Sequence, residues 1–172
     1  MSTMMFRDMQ RQTKTAFERR RFLGFLLVGA AVFAARQSLA STAPVEIKVY
    51  KDPACGCCSA WVKHIEANGF VALVENRADL VSLKHALGVP DDLGSCHTAV
   101  VEGYVLEGHV PAADVHRLLE TRPAGIHGLA VSGMPLGSPG MEEPGGIRDA
   151  FTVIAFRNDG SRMLFARYPA RT

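Results

Sequence analysis

The sequence is short of the features that several large enzyme classes require. It has no glycine-rich phosphate loop, no serine triad and no pair of carboxylates at catalytic spacing, which sets aside nucleotide-handling and hydrolytic chemistry. It carries no internal repeat, and 172 residues fit one domain. The apolar run from Phe22 to Ala35 is shorter than the about 20 residues a membrane-spanning helix needs. Positive charge is scarce where it would matter. The first 40 residues hold Arg7, Arg11, Lys14, Arg19, Arg20, Arg21 and Arg36 against Asp8 and Glu18; taking these from the totals of 19 basic and 17 acidic leaves 12 and 15 beyond residue 40. A mildly acidic body excludes a basic nucleic-acid surface. The remaining balance, 48% hydrophobic and 21% charged, is ordinary for a globular protein.

What is present begins with a targeting pattern. Arg19-Arg20-Arg21-Phe22-Leu23 precedes the apolar run, and Ser38-Leu39-Ala40 offers small residues at the positions a signal peptidase reads. Cleavage is expected after Ala40, with Ala43 as a second choice. The arginines resemble the twin-arginine export signal, Ser/Thr-Arg-Arg-x-Phe-Leu-Lys. Glu18 and Gly24 depart from it at the ends, and Arg36 suits that pathway. A general secretory signal with a basic start is the alternative. The expected organisation is therefore a signal peptide over 1–40 and one domain over 41–172. Membrane contact would come only through an uncleaved signal. Either route ends in an oxidising compartment, where cysteines become disulfides or metal ligands.

Apolar–polar alternation over Val45–Tyr50 reads as a strand, broken by Asp52-Pro53-Ala54. Cys58, Trp61, Val62 and Ile65 then share a helical face that ends at Asn68-Gly69. A strand is expected over Phe70–Val74, and a short helix over Asp79–Leu87 with a buried stripe of Leu80, Leu83 and Leu87. A hairpin of Thr98–Val101 and Tyr104–Leu106 turns at Glu102-Gly103. Pro111 opens a third helix carrying Val115, Leu118 and Leu119. Residues 125–146, rich in Gly and Pro, read as one long loop. Phe151–Phe156 and Met163–Tyr168 read as a closing hairpin around Asn158-Asp159-Gly160, with no assigned place in the fold. A strand feeding a cysteine-bearing helix is the thioredoxin-like arrangement. The expected class is thus α/β, a mixed sheet flanked by helices, with a long Gly/Pro loop and a C-terminal hairpin.

The four cysteines are the chemical signal. Cys55 and Cys58 have the Cys-x-x-Cys redox spacing, while Cys55 and Cys57 have Cys-x-Cys spacing. Three sulfurs in four residues cannot all serve one disulfide, and neighbours such as Cys57 and Cys58 bridge only with strain. A helix amino terminus favours thiolates, the form that ligates metal. Soft thiolates select Cu(I), zinc or iron–sulfur clusters. Cys96, just before the strand at Thr98, is remote in sequence but expected close in space. Two ordinary disulfides and a structural zinc site are the plainer readings. Zinc wants a closed tetrahedral shell that three ligands in four residues serve awkwardly, whereas one thiolate can bridge two copper ions.

The run Cys55-Gly56-Cys57-Cys58-x-x-Trp61-x-x-His64, followed by Gly69-Phe70, Ser95-Cys96-His97-Thr98 and Gly133-Met134-Pro135-x-Gly137-Ser138-Pro139-Gly140-Met141, is similar to the CopG-type copper-resistance proteins. The similarity covers about residues 45–145. It implies a periplasmic thioredoxin-like domain with a cysteine-bridged, multinuclear copper cluster. It also implies a role in copper redox chemistry during resistance, with Cys55, Cys57, Cys58 and Cys96 as the cluster cysteines.

Other donors are weaker candidates. His97 adjoins Cys96 and could ligate copper or hydrogen-bond a thiolate. Met134 and Met141 are loop thioethers, which favour Cu(I). His127 is a more distant loop candidate. His64 is expected to be structural, and His85, His109 and His116 are expected on the surface. Trp61 reads as core and could shield the cluster. The functional expectation is a periplasmic protein binding several copper ions per chain. It would interconvert or handle Cu(I) and Cu(II), in association with a copper exporter or another periplasmic copper protein. A thiol–disulfide oxidoreductase using Cys55 and Cys58, and a passive copper chaperone or store, are the alternatives.

Overall fold

A computed structural model describes residues 43–172; the expected signal segment and its cleavage after Ala40 lie outside the described residues. The first expected elements form as read. β1 (Val45–Lys51) buries Ile47 and Val49 completely and turns Glu46 and Lys48 outward. α1 (Gly56–Ala67) buries Cys58, Trp61, Val62 and Ile65. Gly69, at φ 88°, reverses the chain into β2 (Phe70–Asn76), which pairs parallel with β1. The hairpin of β3 (His97–Val101) and β4 (Tyr104–Glu107) turns at Glu102-Gly103, with β3 antiparallel to β1.

α2 (Val81–Ala86) departs from expectation. It is shorter, and no residue in it is buried; Leu80, Leu83 and Leu87 are only half-buried. Beside Leu87 at its end, the helix docks through Lys84, whose ammonium reaches 2.5 Å from the fully buried carboxylate of Glu107. α3 (Ala112–Thr121) follows Pro111, which caps it from outside the helix. It buries Val115 and Leu118, while Leu119 stays half-buried.

The long loop also needs correction. Gly128–Ala130 is a buried strand, β5, parallel to β4 and antiparallel to β6 (Phe151–Phe156). Three residues leave no readable alternation. Gly128 is obligatory there, because a Cβ would stand 2.2 Å from the Val105 carbonyl oxygen and 2.6 Å from the Phe156 ring. β5 is what places the closing hairpin of β6 and β7 (Arg162–Tyr168). The result is one seven-stranded mixed sheet in the order β2-β1-β3-β4-β5-β6-β7.

Alternation sends side chains to two layers. Ile47, Val49, Ala99, Val101, Leu106, Leu129, Val153 and Ala155 face α1 and α3, where Trp61, Ile65, Val115 and Leu118 complete the main core. Val105, Ala130 and Phe156 face the other way and are covered by Leu87, Val89 and Leu93 from the segment following α2. Helices therefore lie on both faces, as expected. No helix among the described residues is long and apolar enough to cross a membrane.

Candidate metal centre

β1 and β3 run antiparallel with Lys51 opposite His97, so the turn leaving β1 and the turn entering β3 share one end of the sheet. The first turn carries Cys55, Cys57 and Cys58, and the second carries Cys96. Asp52 shapes the first turn. Its carboxylate accepts from the Ala54 N–H at 2.7 Å, and its carbonyl accepts from the Cys55 N–H at 3.1 Å. Cys55 is the N-cap of α1, with its sulfur accepting from the Cys58 N–H at 3.3 Å. The first turn has no acidic side chain, so the unpaired N–H groups and the positive end of the helix are directed at sulfur.

The four cysteines come together, their ligand atoms all within 4.8 Å of one another. Their states differ. Cys55 and Cys58 are joined in a disulfide, while Cys57 and Cys96 are free. Cys57 Sγ lies 3.6 Å from Cys55 Sγ, 3.9 Å from Cys96 Sγ and 4.0 Å from the thioether of Met134. Cys58 is fully buried, whereas Cys55 and Cys57 are partly open to solvent.

Cys96 joins a second group of donors. His97 Nδ1 is 3.3 Å from its sulfur and His109 Nε2 is 3.1 Å away, and the three residues form a further metal-competent cluster. His109 is fully buried, not on the surface as expected. The register of the β3–β4 hairpin explains this. Thr98 lies opposite Glu107, and two residues further along each strand Cys96 meets His109. The Glu102-Gly103 turn was readable in the sequence, and counting outward from it is the signal that would have found His109.

The protonation states of the two histidines favour metal ligation. His109 Nδ1 lies 2.7 Å from the Pro139 carbonyl, which can only accept, so Nδ1 carries the proton and Nε2 presents its lone pair to Cys96. Burial holds both imidazoles below the ordinary histidine range, and His97 well below it, with His109 and Lys84 adding to the effect at His97. Both are therefore neutral at physiological pH. His97 Nε2 is buried without a hydrogen-bond partner among the described residues. Its ring packs 4.5 Å from that of Trp61, which is buried as expected and bonded through Nε1 to the Val110 carbonyl at 2.9 Å. Burial, with Cys57 beside it, pushes the Cys96 thiol up to about 12. Cys96 thus stays protonated until a metal ion displaces its proton.

The Gly/Pro loop straps the site together. Besides Pro139 on His109, Gly140 lies against the first turn of α1, where a Cβ would stand 2.7 Å from Trp61 N and 2.8 Å from the Cys57 carbonyl oxygen. Met134 stands at the open side, about half exposed. Met141 is placed differently. Its backbone closes the turn, donating to Ser138 and accepting from Gly137, and its sulfur makes no hydrogen-bond contact with the cysteines among the described residues. His127 is held by the Leu87 carbonyl and packs on Phe156. His64 accepts from the Ala112 N–H at 3.1 Å, a structural role as expected, and His85 and His116 are exposed as expected.

Behind the second donor group lies a buried polar network. The Glu107 carboxylate accepts from the Ser95 N–H at 2.6 Å, from the Thr98 hydroxyl at 2.7 Å and from Lys84. It thereby fixes the residues on both sides of the Cys96–His97 pair. Burial raises the Glu107 carboxyl above its ordinary range, against the pull of Lys84 and the hydrogen bonds.

A family model described as a protein of unknown function, DUF411, matches residues 93–141. Two solved structures, of copper resistance protein CopG in Form 1 and Form 2, match with a TM-score of 0.70 and 47% sequence identity. Each match covers 74% of this chain, with 99% of the Form 1 chain and 100% of the Form 2 chain. No curated protein matches.

Proposed function

The chain belongs to the CopG family of copper resistance proteins, and on that premise we propose that it is an exported, periplasmic protein that binds several copper ions in a shared sulfur-rich cluster. The observation that carries this reading is the double membership of Cys96. Its sulfur belongs to the group of four cysteines and also to the group with His97 and His109. A thiolate common to two donor groups can bridge two metal ions. Cys57 extends the set toward the Met134 thioether. Thiolate, neutral imidazole and thioether together favour copper, and Cu(I) above all. In this reading Cys55, Cys57, Cys58, Cys96, His97 and Met134 hold the metal, and His109 joins them. Met141 acts through the turn that carries the loop. The protein interconverts or hands on Cu(I) and Cu(II) in copper resistance, with a copper exporter or another periplasmic copper protein as its partner.

The Cys55–Cys58 disulfide supports a second reading, thiol–disulfide exchange, in which accessible Cys55 is the attacked sulfur. One experiment separates the two. The reduced chain is titrated with Cu(I) under nitrogen against a competing chelator. The cluster reading expects more than one tightly held copper per chain and a clear drop in that number for Cys96→Ser. Uptake of one copper or none, unaffected by Cys96→Ser, together with ready reduction of a disulfide substrate, would establish the exchange reading instead.

A further inference from the structure

The four sulfurs are not equivalent, and the difference assigns them separate tasks. With the Cys55–Cys58 bridge closed, Cys57 and Cys96 remain free at 3.9 Å, flanked by His97, His109 and the Met134 thioether. The oxidised protein therefore keeps a donor set of thiols, imidazoles and thioether. We propose that the Cys55/Cys58 dithiol is the electron source for reduction of Cu(II), and that Cys57, Cys96, His97, His109 and Met134 retain the Cu(I) product. The proposal rests on the copper-binding reading above and names its substrate and reductant.

The step balances. Two Cu(II) ions each accept one electron and become Cu(I). The Cys55 and Cys58 thiols each lose one electron and one proton, a sulfur–sulfur bond forms between them, and two protons pass to solvent. Soft ligands drive the reaction forward, because a site that prefers Cu(I) over Cu(II) makes Cu(II) a stronger oxidant. Geometry sets which sulfurs react. Cys55 Sγ caps the helix over the Cys58 N–H, so the two sulfurs close on each other within one turn of α1. Return to the dithiol requires an external dithiol reductant. Cys58 is fully buried and Cys55 is not, so the incoming thiolate attacks Cys55 and releases the Cys58 thiolate.

The test is a single turnover of the fully reduced chain, which carries four thiols. Two equivalents of Cu(II) are added under nitrogen, Cu(I) is read with a chromogenic chelator, and the stripped protein is alkylated and mapped. The expected result is two Cu(I) formed and two thiols lost, with the bridge at Cys55–Cys58 and label on Cys57 and Cys96. The Cys55→Ser/Cys58→Ser double variant is expected to hold fewer Cu(I) ions than the wild type, on the Cys57, Cys96, His97, His109 and Met134 donors that remain, and to form Cu(I) from Cu(II) at least tenfold more slowly. Cys55→Ser alone, with serine suited to the N-cap, supplies the same readout where the double variant does not fold. A bridge between Cys57 and Cys96, intermolecular disulfides, or undiminished Cu(II) reduction by the variants would overturn the proposal. So would copper uptake by the wild type with all four thiols intact, a result that leaves the copper-binding reading standing. Failure to bind Cu(I) at all would overturn both.

Discussion

The two halves of the candidate centre are built by different means. Cys55, Cys57 and Cys58 sit within four residues on the first turn of α1, and the geometry of one helix cap arranges them. Cys96, His97, His109 and Met134 come from the start of β3, the end of the β3–β4 hairpin and the Gly/Pro loop. Their meeting depends on sheet register, on the buried Glu107 network and on the strap across His109. A local half tolerates change elsewhere in the molecule. An assembled half is exposed to every element that holds it, so substitutions far from sulfur are expected to strike it first.

The largest effect is expected at Lys84, which makes no contact with a candidate ligand in the α1 turn. Lys84→Met leaves the Glu107 carboxylate buried without its cation, a change that costs about 3–5 kcal/mol when one partner of a buried pair is removed. Urea unfolding of the copper-free, reduced protein should show it as a lower midpoint. The Lys84→Met/Glu107→Gln double variant is expected to recover part of the loss, because the uncompensated charge is gone. A midpoint unchanged in the single variant would show that the assembled half does not depend on this pair.

A matched pair of glycines sharpens the comparison further. Gly140 has φ 87° and no room for a Cβ between the loop and α1, whereas a Cβ at Gly56, inside the cysteine motif itself, meets nothing within 4 Å. Gly140→Ala is expected to cost about 1–3 kcal/mol by overpacking. By lifting the strap from His109 it should also weaken Cu(I) retention in a chelator competition. Gly56→Ala is expected to be neutral or to stabilise by up to about 1 kcal/mol, since alanine is the better helix former. If the two substitutions weaken retention equally, the division into halves fails.

The same division governs what could be read from the sequence. The α1 half was legible because its spacing, its strand–turn–helix setting and its helical face all lie in one continuous stretch. Cys96 was legible once its strand was placed, because a loop entering β3 must return to the end where β1 stops. His109 reads from the sequence as a surface residue, although the hairpin turn that brings it to Cys96 is legible; a pair across a two-residue turn shows only when both strands are counted outward. β5 was hidden for another reason. A three-residue strand beginning with glycine and buried throughout shows no alternation, so only its neighbours β4 and β6 define it. The docking of α2 through Lys84, beside the half-buried Leu87, was also invisible, because a lysine at a helical position reads as solvent-facing until its buried carboxylate is known.

The smallest effect tests the scaffold under the local half. α1 is tied to α3 by His64, whose Nε2 accepts from the Ala112 N–H at 3.1 Å. Only an unprotonated nitrogen can accept, and burial lowers the His64 pKa from 6.5 while the Glu142 carboxylate opposes the shift. A folded-state pKa below the unfolded one means that the unfolded chain takes up protons first. The contribution of His64 is therefore complete above the unfolded value and is lost as pH falls through the lower folded value. A net hydrogen bond of this kind contributes about 1 kcal/mol. The stability gap between wild type and His64→Leu, measured on copper-free protein by urea unfolding, is expected to be of that size near neutral pH. It should close on titration from about pH 8 to about pH 5, across the range where histidine changes charge. The buried imidazoles of the other half titrate in both proteins and cancel in the difference. A gap that widens on acidification would mean that His64 is bound as an imidazolium, and the link between α1 and α3 would then have to be sought in a contact with Glu142 instead.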